Sequence, residues 1–173
     1  MEVIVTLVVV LALTLLMISL YSRLIELRKQ VKTGWKQLAT QLQHRHELAT
    51  NLVSAAGEAV DAEQAALDAI VAAHNRAMTA RGPSDAAAKE QELTVTLNRL
   101  LALVETSPRM LAAENLRAVQ HQLTANAGKV AVARGVYNDI ATKYNTATRA
   151  MPHKMIAALG SFPPAELFEA NTA

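Results

Sequence analysis

Val3-Ile4-Val5-Thr6-Leu7-Val8-Val9-Val10-Leu11-Ala12-Leu13-Thr14-Leu15-Leu16-Met17-Ile18-Ser19-Leu20 is an apolar run relieved only by the hydroxyls of Thr6, Thr14 and Ser19. As an α-helix its eighteen residues rise about 27 Å, close to the thickness of a bilayer's hydrocarbon core. Ser and Thr are tolerated at that depth because their hydroxyls bond back to carbonyls of the preceding turn. A cleaved signal peptide carries a basic leading region and a small-residue cleavage site. This chain opens on Met1-Glu2, and the run closes on Leu20-Tyr21-Ser22-Arg23. Residues 1–20 therefore read as a retained transmembrane anchor.

Arg23, Arg28, Lys29 and Lys32 follow the run, and no Lys or Arg precedes it. A membrane-proximal basic cluster on one side only places that side in the cytoplasm by the positive-inside rule. The same groups are suited to anionic lipid headgroups. The chain has no cysteine, so it has neither a disulfide nor a lipidated thiol. A net charge of +2 gives no case for nucleic acid as a partner.

Past the anchor, about 150 residues remain, enough for one domain with its own core. They are rich in Ala, Leu, Gln and Glu and poor in Gly, Pro and aromatics, the composition of helices. The sharp breaks are Arg81-Gly82-Pro83-Ser84, Thr106-Ser107-Pro108, Met151-Pro152 and Pro163-Pro164. Ser107 is a natural N-cap with Pro108 in the first turn. The breaks predict helices over about 3–56, 59–81, 84–105 and 108–150, with a short amphipathic one near 152–159.

The first and last of these carry heptads. One seam runs Tyr21, Leu24, Arg28, Val31, Trp35, Leu38, Leu42, Arg45, Ala49, Leu52 and Ala56. The other runs from Ala112 through Leu116, Leu123, Asn126, Val130, Tyr137 and Tyr144 to Met151. Spacing of three and four sustained this far argues for long helices packed as in a coiled coil. The fold class expected is all-α: a transmembrane helix continuing into an antiparallel four-helix bundle over 21–150, with two long and two shorter helices and a tail over 151–173. The shorter pair reaches only the distal part, leaving a membrane-proximal stalk with apolar flanks at Ile25 and Leu27.

Near its full length the chain resembles the LemA family. The resemblance is carried by Tyr21 to Val31, Trp35, and Gln41-Leu42-Gln43-His44-Arg45-His46-Glu47-Leu48-Ala49-Thr50-Asn51-Leu52-Val53. In the last helix it is carried by Ala133-Arg134-Gly135-Val136-Tyr137-Asn138, then Lys143-Tyr144-Asn145, Met151-Pro152 and Phe168-Glu169. The chain departs from the family pattern at Ala49-Thr50, where Ile-Pro is usual, at Met151, where Phe is usual, and at Ala125-Asn126, where an acidic residue is usual. The resemblance implies a bacterial antiparallel helical bundle on an inner-membrane anchor, with no established enzymatic activity. One branch resembling the family works in forming magnetosome membranes, which makes an organising role plausible by analogy.

Arg28 and Arg45 on an apolar seam need partners, since a buried guanidinium must be paired or hydrogen-bonded. Antiparallel packing offers the hydroxyls of Tyr137 and Tyr144, the amides of Asn138 and Asn145, and Asp139. Two readings follow. One is an interhelical polar network that sets register. The other is a ligand or partner pocket lined by Arg28, Trp35, Tyr137 and Tyr144. His44 and His46 lie on nearly opposite sides of a helix. His46-Glu47-Leu48-Ala49-Thr50 lacks the second His of a zinc-protease motif, so no metal site is expected. No nucleophile with a base and an orienter is found, and the carboxylates read as solvated surface. The function expected is a non-enzymatic, single-pass membrane scaffold without cofactors, touching the bilayer and a second copy or a membrane-protein partner. The alternative is a ligand- or peptide-sensing module.

The tail, with His153, Lys154, Met155, Ile156, Leu159 and Phe162, has two possible placements. It lies in the membrane interface with Phe162 and Phe168 as anchors, or it folds back over the stalk. Pro152, Pro163 and Pro164 favour the second.

Overall fold

The computed structural model describes residues 1–57, 64–107, 112–150 and 160–169. Among these, all regular structure is helical: α1 (Glu2–Gly57), α2 (Gln64–Met78), α3 (Gly82–Thr106) and α4 (Glu114–Arg149). α1 is unbroken over 56 residues, about 84 Å of rod. Its first third is bare: Val3 to Ile18 are exposed, and the most apolar eighteen-residue window has mean hydropathy 3.0 with none of it buried. Thr6 and Thr14 donate to the carbonyls of Glu2 and Val10, each at 2.8 Å, which hides their hydroxyls along the helix. The segment is thus long and apolar enough to cross a membrane.

α1 and α4 form the long antiparallel pair. Asn126 lies beside Gln41, Tyr137 beside Gly34, and Leu24 beside Tyr144, so register falls on α1 as it rises on α4. α2 and α3 form a hairpin over the distal half, where Leu48, Leu52, Ile70, Leu93, Leu100 and Leu116 build the main core. A second cluster around Leu38, Leu42, Ala87 and Tyr137 fills the middle. A third, with Leu24, Tyr144 and Phe162, lies nearest the apolar segment.

Several boundaries differ from the sequence reading. α2 is described only from Gln64 to Met78. Ser107 closes α3, its backbone N–H returning to the Val104 carbonyl at 3.3 Å, and the residues it is expected to cap, from Pro108, lie outside the described ones. α4 is described from Glu114, after Ala113. The expected helix near 152–159, Pro108 and residues 58–63 lie outside the described residues.

Candidate functional site

The residues singled out in the long helices divide into two groups, and they do not meet as one network. The first group holds an extended strap, residues 160–169, in the groove between α1 and α4. Tyr144 donates its hydroxyl to the Pro163 carbonyl at 2.9 Å. Asn145 brackets Ala165, donating to its carbonyl and accepting from its N–H, both at 2.8 Å. One heptad earlier, Tyr137 donates to the Glu166 carbonyl at 2.6 Å. Asn138 brackets Phe168 in the same way, accepting its N–H at 2.8 Å and donating to its carbonyl at 3.4 Å.

The repeat has a geometric cause. Seven residues of helix rise about 10.5 Å, and three residues of extended chain span about 10 Å. A Tyr-Asn pair therefore meets equivalent backbone groups each time the strap advances by three. Extended backbone that has no sheet to join needs such partners, and the two carboxamides stand in for a neighbouring strand. Pro163 and Pro164 add no N–H that would need one.

Aromatic packing fixes the strap's ends. Phe168 is buried beside Trp35, with ring centroids 6.3 Å apart, and Trp35 lies 5.6 Å from Tyr137. Phe162 is buried against Leu24 and Tyr144, with Tyr21 edge-on at 5.7 Å. Arg28 differs from its expected role. It is an exposed residue, and its guanidinium lies over the Phe162 ring at 5.9 Å. Leu24, Leu27 and Val31 supply the seam there, and the longer Arg side chain reaches across it to water. In mid-strap, Glu166 approaches the start of α3, where Ser84 N–H lies 3.5 Å from its Oε2. Gly82, at φ 82°, leaves the room: a Cβ there would come within 2.8 Å of that carboxylate. Burial pushes the Tyr137 and Tyr144 hydroxyls above the usual tyrosine range. Glu166 adds to the effect at Tyr137, and Arg28 opposes it at Tyr144.

The second group lies about three turns further along α1 from the apolar segment. Arg45 does not turn to the tyrosines of α4. Its Nη2 donates to Thr94 Oγ1 at 2.8 Å, and its Nη1 stands 3.6 Å from Glu90 Oε2, both on α3. His46 meets the other oxygen of Glu90. Glu90 is buried, which corrects the reading of every carboxylate as solvated surface. The stripe Leu93, Leu97, Leu100, Val104 continues one turn back through Glu90 and Ala86, and following it that far exposes the residue. Burial lowers the Arg45 pKa from the ordinary arginine value, and Glu90 opposes the shift. Asn126, the polar residue on the α4 seam, is buried and donates to the Gln41 carbonyl at 3.2 Å.

Of the basic cluster, Arg23, Lys29 and Lys32 are exposed on α1 just past the apolar segment. Among the described residues, no group of three or more His, Asp or Glu side chains is arranged to hold a metal.

A model of the LemA family matches residues 34–173. The chain belongs to the LemA family. The matched span takes in α1 from Gly34, both helices of the hairpin, α4 and the strap, so the Tyr-Asn clamp and the Arg45–Glu90 pair both fall inside it. No curated protein matches the chain. The LemA family is not a known enzyme family.

Proposed function

We propose that this LemA protein is a single-pass, membrane-anchored helical scaffold that organises the membrane or recruits partners to it, without catalysis. The observation that carries the reading is the continuity of α1. One helix runs from a wholly bare apolar segment into the bundle with no joint between them. A bundle joined this way has a set height and direction over the bilayer, which suits a spacer or a docking post better than a mobile catalyst. The clamp supports the same reading. Tyr137, Asn138, Tyr144 and Asn145 spend their polar atoms on the chain's own strap, which fills the groove beside Trp35. Tyr21 and Ile25, 44% and 46% exposed, extend the apolar surface past the segment and are suited to a second copy or a membrane protein. The one-sided basic cluster favours an inner-membrane protein with its bundle in the cytoplasm, near anionic lipid.

The test is the mass of the full chain in nanodiscs beside that of residues 21–173. A defined oligomer or a co-purified membrane protein that needs the apolar segment supports the scaffold. A strict monomer in both forms, with no membrane association of the full chain, sinks it.

A further inference from the structure

Between α1, α3 and α4 a cleft of about 500 Å³ opens beside the strap. That volume lies in the range of small-molecule sites. Its walls are kept apart by short side chains, Ala87 on α3 and Ala127 and Ala131 on α4. Two charged groups with unspent hydrogen-bonding capacity line it. Glu90 is 5% exposed, and its Oε2 has no hydrogen-bond partner among the described residues. Arg45 Nη1, at 3.6 Å, is too far to supply one. Arg45 itself makes one side-chain hydrogen bond among the described residues, to Thr94, out of five N–H donors. A carboxylate left short of a donor inside a protein is costly, and a guanidinium beside it is a ready-made fork for a second acid.

We infer that this cleft binds a carboxylate carrying an N–H on the neighbouring carbon, as in a free amino acid or the C-terminal residue of a peptide. The ligand's carboxylate takes the free donors of Arg45, and its N–H goes to Glu90 Oε2. Leu42, Val130 and Phe168 give an apolar lining suited to an aliphatic or aromatic side chain. A phosphate is a poor occupant, since Glu90 and Glu169 both face the cleft. A bare cation is equally poor beside Arg45 and Arg134. The site stands apart from the scaffold reading: it is read by binding, whereas the scaffold is read by mass and membrane association.

The test is calorimetric titration of the full chain in detergent with alanine, leucine and phenylalanine. Each is offered free, N-acetylated and as the C-terminal amide. At least one carboxylate-bearing form binds, and the amides, which lack the carboxylate, do not. Binding by the free forms alone assigns the site to amino acids; equal or tighter binding of the N-acetyl forms assigns it to peptide C-termini. Glu90→Gln weakens binding by about tenfold or more, the worth of one charge-assisted hydrogen bond. Gln91→Trp changes an exposed lining residue and spares the buried pair. It abolishes binding while the melting temperature of the empty protein holds. No binding of any carboxylate form, or binding that neither substitution weakens, overturns the assignment.

Discussion

At the scale of single residues, the informative group is Arg45, His46 and Glu90, three ionisable side chains next to the aliphatic distal core. Removing one member of a buried ion pair strands the other's charge, whereas replacing both by apolar residues of similar size is often neutral. Glu90→Leu therefore destabilises the bundle by about 3 kcal/mol, and the double variant Arg45→Met with Glu90→Leu recovers most of that loss. Urea unfolding of the three proteins checks it, and equal losses in single and double variants would sink the pairing. The heptad seam reveals Arg45 and Asn126 as polar residues that need partners. Periodicity along one helix carries no information about which neighbour supplies them. Arg45 finds α3, and Asn126 finds a backbone carbonyl of α1. Glu90 escapes notice because a lone carboxylate at the head of a Leu stripe looks like the stripe's end, and only the third dimension puts His46 and Arg45 against it.

At the scale of elements, the helices are legible because breaks and 3.6-residue periodicity are local properties. The strap is not, since an extended segment without a sheet has no period to read. Its signal lies elsewhere in the chain, in the Tyr-Asn step repeated after seven residues on α4. Each Asn makes two hydrogen bonds to the strap, so Asn138→Ala with Asn145→Ala removes all four. At about 0.5–1.5 kcal/mol per bond, the pair costs about 2–6 kcal/mol of strap docking. Hydrogen exchange at Ala165 and Phe168 N–H reads this directly, with α1 and α4 still protected; protection unchanged at those two amides would refute the clamp. Alkaline pH acts on the same element. Tyr137 and Tyr144 both have pKa values raised by burial, so their stabilising effect is complete below the unfolded tyrosine value of about 10. It is lost as pH rises through the higher folded values, because a phenolate cannot donate to the Glu166 and Pro163 carbonyls. The melting temperature should fall along that limb, and Tyr137→Phe with Tyr144→Phe should flatten the fall while lowering stability at neutral pH.

At the scale of the whole molecule, everything depends on which side of the bilayer the bundle occupies. The apolar segment settles how the chain can be held and says nothing of direction. Direction rests on charge: Arg23, Arg28, Lys29 and Lys32 lie within about 18 Å of helix past Leu20, the zone where Lys and Arg bias topology most strongly. The amino-terminal flank offers only Glu2, and acidic residues contribute little to the bias. Because the chain has no cysteine, a single introduced thiol reports position without background. Gln122 is exposed on α4, well away from the strap and the cleft, so Gln122→Cys should leave the fold untouched. In intact spheroplasts that thiol should resist a membrane-impermeant maleimide and react fully once the membrane is opened. Labelling before lysis would put the bundle outside and sink the topology read from the basic cluster. A second arm ties the result to cause. Replacing Arg23, Lys29 and Lys32 by Gln removes most of the bias without touching a buried contact, since all three side chains are exposed. A mixed population of labelled and protected thiols in that variant would show that the same charges which flank the segment also orient it.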